Sequence, residues 1–176
     1  MIPVSVLVTT LNEEQNLDRC LGALQGFNEI IVIDSCSQDK TVEIAKQHGA
    51  HIQLFQWNHH YPKKRQWCLD NLKLKNDFIF FVDGDEEVTP ELIKEISVLD
   101  FSCAGYFVKG RYFWKGRMLN HGLRNNKLAL FHRRKVEFPV VDDLDISGMG
   151  EMEGHYQPVL KAGYKYERLG QLQNPL

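Results

Sequence analysis

Two aspartates separated by one glycine follow the most apolar segment of the chain. Asp83-Gly84-Asp85 comes directly after Phe78 to Val82, and two carboxylates at this spacing can share one divalent cation. Carboxylate oxygens suit Mg²⁺ or Mn²⁺, and an ion there would bridge the phosphates of a bound nucleotide. A polar loop before the next helix is the structural alternative. Glu86 and Glu87 add negative charge that is costly without a cation nearby, which favours the metal site.

Polar side chains also follow the first two apolar segments. Asp34 ends the second one, where its carboxylate can accept hydrogen bonds from a base or a ribose hydroxyl, or instead form a turn. Asp39 fits a structural role as a helix cap better than a binding role. Thr9, Thr10 and Asn12 end the first segment and can contact a base or ribose, although Asn12 can also cap its own helix.

Three basic residues, Lys63, Lys64 and Arg65, begin a predicted helix. Cations are unfavourable at a helix N-terminus, so the conflict indicates either an anionic ligand such as a diphosphate or a solvated run of charge. The basic and aromatic stretch 106–117 can grip an anionic acceptor or a membrane surface, but a strand with one wet face explains it better.

Charge separates sharply in the C-terminal part. Residues 101–136 carry nine basic side chains and no acid, whereas 137–153 carry six acids and no base. Within the glycine-rich stretch 148–158, Glu151, Glu153 and His155 are candidates for a general base or a last metal ligand. His155 can equally be a packed histidine.

Strand and helix signals alternate over the first hundred residues and would position these groups. Strands are predicted at 3–10, 29–34, 51–56 and 78–82, and helices after Asn12, at 39–48, at 62–74 and from Thr89-Pro90. Asn12 and Gln15 form a predicted capping box, and Gly49 a predicted C-cap. Further strands are predicted at 104–114 and 127–131.

Such alternation builds a parallel sheet with helices on both faces, and ligands bind beyond the carboxyl ends of its strands. The segments 9–12, 34–37 and 83–85 are each polar and each end a strand. They are therefore expected to meet at one edge of the sheet.

The composition is that of one folded domain over residues 1–176. Apolar residues make up 43%, charged residues 25%, and the net charge is −2, which excludes disorder and argues against nucleic-acid binding. Without a secretory signal or a membrane-spanning run, a cytoplasmic protein is predicted. Peripheral attachment to the inner face of the membrane stays open. The four cysteines form no CxxC pair and are predicted to be free, buried thiols.

Residues 3–100 resemble a family 2 glycosyltransferase with the GT-A fold. The matching motifs, in the family's order, are Thr10-Leu11-Asn12 with Glu13, the run 32–41, Lys64-Arg65-Gln66 and Asp83-Gly84-Asp85. The resemblance implies a Rossmann-like α/β fold whose mostly parallel central sheet has helices on both faces. It further implies a nucleotide-sugar-binding half (1–100) and a β-rich acceptor-side half (101–176).

The resemblance also implies an activity and its residues. A metal-dependent, inverting enzyme would move a sugar from a nucleoside diphosphate sugar, with UDP favoured, to a glycan or glycolipid hydroxyl in cell-surface polysaccharide or lipopolysaccharide synthesis. Thr9, Thr10, Asn12, Glu13, Asp34, Arg65, Asp83 and Gly84 would bind the donor. Asp85, Asp83 and His155 would hold Mg²⁺ or Mn²⁺. Glu153 is the first choice for the base on the acceptor, followed by Glu151 and then by Asp142 or Asp143.

Two other classes of function compete with this interpretation. A phosphatase of the haloacid-dehalogenase type would use Asp83 as nucleophile and Asp85 as acid and base, but its motif closes the first strand of its fold rather than the fourth. The other class is a non-catalytic module that binds nucleotide or glycan.

Overall fold

The computed structural model describes residues 1–114, 117–119, 125–144, 146, 150–153 and 156–176. The helices are α1 (Leu17–Ala23), α2 (Thr41–Gln47), α3 (Lys64–Asn71) and α4 (Pro90–Ser97), with a 3₁₀ turn at Ala162–Tyr164. The strands are β1 (Ile2–Thr10), β2 (Phe27–Asp34), β3 (His51–Leu54), β4 (Phe78–Asp83), β5 (Gly105–Gly110), β6 (Phe113–Trp114), β7 (Arg117–Met118), β8 (Asn125–His132), β9 (Val136–Glu137), β10 (Val159–Leu160) and β11 (Leu169–Pro175).

A seven-stranded sheet forms the centre, in the order β11-β5-β8-β4-β1-β2-β3. The strands of the first hundred residues pair in parallel, with β1 between β4 and β2 and with β3 at one edge. Strand β8 lies antiparallel between β4 and β5, and β11 completes the other edge parallel to β5. The predicted mostly parallel sheet and β-rich C-terminal half are confirmed.

Apolar side chains on both faces of the sheet explain why helices cover both faces. In β1, Val6 and Val8 pack in the cluster that contains α1, α2 and α4, whereas Leu7 packs in the cluster that contains α3. In β4, Phe80 and Phe81 divide between the same two clusters. Continuous apolar runs of this kind are typical of parallel strands buried on both faces.

The helix ends confirm some of the predicted signals and correct others. Thr89 accepts a hydrogen bond from the Leu92 amide at the start of α4, and Gly49 has the positive φ (70°) expected after α2. The capping box at Asn12 is wrong, because α1 begins at Leu17. Asn12 instead adopts a left-handed conformation (φ 56°), and its side chain accepts the amide of Gln38.

The cysteines are free thiols in the structure, as predicted. Cys20, Cys68 and Cys103 are buried, as predicted, whereas the prediction is wrong for Cys36, which is exposed. Burial raises the pKa of both Cys20 and Cys68 to about 12. Among the described residues, no helix has the length and apolar character that crossing a membrane requires.

Strand β11, which no sequence signal predicted, is attached to α4 through Glu95. The Glu95 carboxylate accepts hydrogen bonds from the backbone amides of Gln173 (2.8 Å) and Asn174 (2.9 Å) and from the Asn174 side chain (2.8 Å). Although burial opposes ionisation, these hydrogen bonds lower the pKa of Glu95 below 4.5.

Replacing Glu95 with glutamine is therefore expected to lower the free energy of unfolding by about 1 kcal/mol at pH 7. A lowered folded-state pKa stabilises the fold above the unfolded-state pKa and loses that contribution on acidification. The difference between the two proteins should thus shrink as the pH falls below 4.5. Urea denaturation at pH 7 and pH 3 measures it, and a pH-independent difference would contradict this account.

Candidate functional site

Three polar strand ends meet at the carboxyl edge of the sheet, as the sequence predicted. Thr9 is paired with Asp83 of β4, and its hydroxyl donates to the Asp83 carboxylate at 2.8 Å. Thr10 is paired with Asp34 of β2, and its hydroxyl donates to that carboxylate at 3.1 Å. The register of two neighbouring strands on β1 therefore brings together carboxylates 49 positions apart in the sequence.

The turn after β2 uses both oxygens of Asp34. This fully buried carboxylate accepts the Ser37 hydroxyl at 2.5 Å and the Ser37 amide at 2.9 Å, besides the bond from Thr10. The Ser37 hydroxyl in turn accepts the amide of Asn12 at 2.8 Å. Asp39 accepts the amide and hydroxyl of Thr41, which confirms its structural role. The first two polar segments thus form one hydrogen-bonded turn structure.

Asp83 is held between two cations. The Arg65 guanidinium donates to Oδ1 at 2.9 Å, and the Lys127 ammonium lies 3.4 Å from Oδ2. Although burial opposes ionisation, the charges of Arg65 and Lys127 and the Thr9 hydrogen bond lower the pKa of Asp83 to about 2. The carboxylate is therefore ionised at neutral pH.

Glu86 and Lys127 form a second pair behind Asp83. The Lys127 ammonium lies 2.5 Å and 2.6 Å from the two oxygens of Glu86, which also accepts the Asp83 amide. Burial and the Asp83 charge raise the pKa of Glu86, and Lys127 only partly offsets them. The sequence indicated that Glu86 needs a cation, but nothing in it identified Lys127, which comes from β8.

Gly84 and Asp85 differ from their neighbours in how they are packed. A Cβ atom on Gly84 would lie 3.0 Å from side-chain carbons of both Thr10 and Glu13, so a larger residue would force these side chains to shift. Asp85 is exposed, and its carboxylate forms no hydrogen bond or ion pair with any residue in the described ranges.

A cavity of about 820 Å³ lies beside Asp83 and Asp85. Its lining also includes Arg65 and Lys127 and, from the C-terminal half, the aromatic residue Tyr156. The buried Nε of Arg65 has no hydrogen-bond partner within the described part of the chain. The cavity is therefore lined by carboxylates and cations, and the Arg65 Nε–H beside it is free to donate a hydrogen bond. The volume of the cavity suits a small molecule.

Lys63 and Lys64 do not face this cavity, and neither predicted explanation for them holds. The Lys63 ammonium pairs with Asp143 at 2.8 Å, with side-chain exposures of 1% and 0%. Lys64 pairs with Glu151 at 2.5 Å. The anions that pair with Lys63 and Lys64 come from the acidic segment 137–153 of the same chain. These two lysines therefore form neither a solvated run of charge nor a diphosphate site.

The carboxylates predicted as a base all have a described location. Glu151 also accepts the Ser35 hydroxyl at 2.5 Å, whereas Glu153 accepts two backbone amides of α3. Burial raises the pKa of Glu153, although those amides oppose the change. Neither Glu151 nor Glu153 lines the cavity. Asp142 is exposed, and His155 lies outside the described residues.

Comparison with known sequences gives a family. The profile described as "Glycosyl transferase family 2" matches residues 5–144, which is more than half of the chain. An uncharacterized glycosyltransferase of Rickettsia bellii is 34% identical over 97 residues, covering 54% of this chain and 32% of the relative. The poly(ribitol-phosphate) beta-N-acetylglucosaminyltransferase TarS of Staphylococcus aureus is 31% identical over 108 residues, covering 54% and 18%. The chain thus spans a third or less of these relatives.

Solved structures agree on the fold. S. aureus TarS superposes with a TM-score of 0.58 at 19% identity, covering 96% of this chain and 36% of that one. A structure of TarS 1-349 in complex with UDP gives a TM-score of 0.51 at 24% identity, covering 67% and 38%. These likenesses, with the observed sheet, show the GT-A fold, and the profile match sets aside the phosphatase alternative. On these grounds the chain belongs to glycosyl transferase family 2.

Proposed function

We propose that the chain binds a nucleoside diphosphate sugar, with UDP favoured, and transfers the sugar to a hydroxyl of a glycan or glycolipid. The observation that carries this proposal is the meeting of three strand-end turns at one edge of the sheet, where Asp83 and Asp85 line a cavity together with Arg65 and Lys127. Family membership supports transfer, and the UDP complex of TarS supports the nucleotide. Synthesis of cell-surface polysaccharide or lipopolysaccharide on the cytoplasmic side stays a prediction.

Donor binding is divided among the turns. The turn built on Asp34, with Thr9, Thr10 and Asn12, would hold the base and ribose. Arg65 would contact the diphosphate, because its buried Nε still has a proton to donate and its charge matches the phosphates. Gly84 lies between these two regions, and because it has no side chain its loop can pack closely against Thr10 and Glu13.

The carboxylates fit a divalent cation of the Mg²⁺ or Mn²⁺ type. Asp83 is ionised, and Asp85 is exposed and forms no bond within the described part of the chain. That part contains no group of three or more His, Cys, Asp or Glu side chains arranged for a metal. Two carboxylates together with substrate phosphates are a usual ligand set for Mg²⁺. When bound, such an ion would stabilise the negative charge of the departing diphosphate.

For the base, the geometry separates the two carboxylates proposed from the sequence. Glu151 bonds the Ser35 hydroxyl and the Lys64 ammonium through Oε1, and 22% of its side chain is exposed. Glu153 is only 3% exposed, and each of its oxygens accepts a backbone amide. We therefore assign deprotonation of the acceptor to Glu151. A single base and an in-line attack at C1 invert the sugar's configuration.

Nucleotide binding tests this proposal through the melting temperature. UDP and GDP would be added separately, each with and without Mn²⁺. A ligand at one hundred times its dissociation constant stabilises the fold by about 2.7 kcal/mol, which gives a readily measured shift. We expect stabilisation by UDP that increases with the metal. Absence of a shift with either nucleotide, even at several millimolar, would overturn the donor site.

Replacing Arg65 with methionine is expected to weaken UDP binding about tenfold to a hundredfold, because charge-assisted hydrogen bonds to the diphosphate are lost. Titration calorimetry measures the dissociation constant. The matched control is Arg134→Met, since Arg134 is 67% exposed and pairs with Asp77 at the other end of β4. Equal affinity in the Arg65 variant and the control would remove Arg65 from the donor site.

A further inference from the structure

The first turn of α3 receives its capping hydrogen bonds from residues far along the chain. The first amides of a helix have no partner within the helix, and the local N-cap residue, Lys63, supplies no side-chain acceptor. The amide of Lys64 donates to the Glu151 carbonyl at 2.8 Å. The amides of Arg65 and Gln66 donate to the two carboxylate oxygens of Glu153 at 3.0 Å and 2.7 Å. Residues 151 and 153 thus satisfy all three amides.

Glu153 is built into this position. The residue is 3% exposed, and its negative charge lies at the positive end of the helix dipole. Both of its oxygens accept backbone amides of α3, and the side chain is buried beneath them. A general base needs an oxygen that reaches the acceptor hydroxyl, and Glu153 presents none.

The helix turn that Glu153 holds is the one that carries Arg65. The Arg65 guanidinium lies 2.9 Å from the Asp83 carboxylate and 6.0 Å from the centre of the Phe81 ring. Its side chain is 15% exposed, so it has little freedom to adjust if its backbone moves. The position of the first turn of α3 therefore sets the position of this guanidinium.

We infer that Glu153 is a positioning residue, which fixes the first turn of α3 and thereby holds Arg65 beside Asp83 for the donor diphosphate. This inference rests on the proposed function and concerns the same site. It assigns to a residue of the acceptor-side half a role in donor binding. It also replaces the role of acceptor base that the sequence suggested for Glu153.

The test replaces Glu153 with glutamine, which keeps the shape but has one acceptor oxygen where two are needed. Donor KM and kcat are measured from pH 5 to pH 9, together with the UDP dissociation constant. We expect the donor KM and the UDP dissociation constant to rise about tenfold, a change that corresponds to the free energy of about one hydrogen bond. We expect kcat to fall less than fivefold. The pH profile of kcat should keep the wild-type shape. Glu137→Gln is the control, because it makes the same chemical change in the same acidic segment.

A second variant tests whether the effect passes through Arg65. In an Arg65→Met background, the added Glu153→Gln change should raise the UDP dissociation constant less than twofold, because no guanidinium is left to position. Two results would overturn the inference. One is a kcat loss of a hundredfold or more with KM unchanged and the acid limb of the profile gone, as expected for a base. The other is an equal tenfold loss of UDP affinity in both backgrounds.

Hydrogen exchange separates this test from a failure of the proposed function. The amides of Arg65 and Gln66 should exchange at least tenfold faster in Glu153→Gln than in Glu137→Gln, whether or not UDP binds. If the wild-type protein bound no nucleotide, the proposed function would be wrong. The exchange rates of the two α3 amides would still test the positioning role of Glu153. Unchanged exchange at both amides would overturn the positioning role by itself.

Discussion

Replacing Asp85 with asparagine is expected to lower sugar transfer at least a thousandfold and to remove the Mn²⁺ dependence of UDP binding. The neutral amide is a poor ligand for a hard cation, and a thousandfold rate loss corresponds to about 4 kcal/mol of stabilisation of the leaving diphosphate. The fold should be unaffected, because Asp85 is exposed and bonds no other described residue. The measurements are kcat and the melting shift with UDP, each with and without Mn²⁺.

The control for Asp85 is Glu91→Gln, which removes one exposed negative charge from the first turn of α4, outside the cavity. Its transfer rate should stay within threefold of the wild type. If Asp85→Asn kept metal-dependent UDP binding, the metal would have to be held by other residues. The assignment of the Asp83-Gly84-Asp85 loop to the metal would then be wrong.

Replacing Lys63 with methionine is expected to lower the free energy of unfolding by about 2 kcal/mol. The substitution leaves the carboxylate of Asp143 covered from solvent without its cation, and Tyr61 is then its only side-chain donor among the described residues. Breaking a buried ion pair from one side typically costs about 3–5 kcal/mol. We expect less here because the Tyr61 hydroxyl still donates to the Asp143 carboxylate in the variant. Urea denaturation at pH 7 measures the change.

The double variant Lys63→Met/Asp143→Leu should recover most of the lost stability, because an apolar pair of similar volume needs no charge compensation. The control is Asp142→Ala, since Asp142 is exposed and the substitution should change stability by less than about 0.5 kcal/mol. A single Lys63→Met variant as stable as this control would show that the pair contributes nothing.

Local sequence signals predicted the elements whose partners are close in the chain. The apolar runs of β1 and β4, the Thr89 cap and the glycine after α2 are each recognisable within a few residues, and the structure has all of them. Strand β11 was missed because its seven residues include three polar amides, a glycine and a proline, and only Leu172 is fully buried.

The meeting of the polar strand ends was also predictable, because parallel topology fixes it. The pairing of charged side chains at and near this edge could not be predicted from the sequence. Lys127 reaches Asp83 from 44 residues along the chain, and Lys63 and Asp143 are 80 residues apart. The basic run 63–65 was interpreted as a site for an anionic ligand or as a solvated run of charge, whereas its two lysines pair with carboxylates of the same chain. Such pairs depend on tertiary distance, which the local sequence does not contain.

The remote capping of α3 has a consequence for how the protein folds. The bonds between the first turn of α3 and Glu153 close loops of 88 and 87 residues, so the entropy of a long chain must be lost before they form. A helix of eight residues is marginal without such tertiary support. Helix α3 should thus become stable late, after the segment that contains Glu151 and Glu153 has packed against its first turn. A ribosome-bound chain that ended near residue 100 would have its sheet nucleus but not yet this helix.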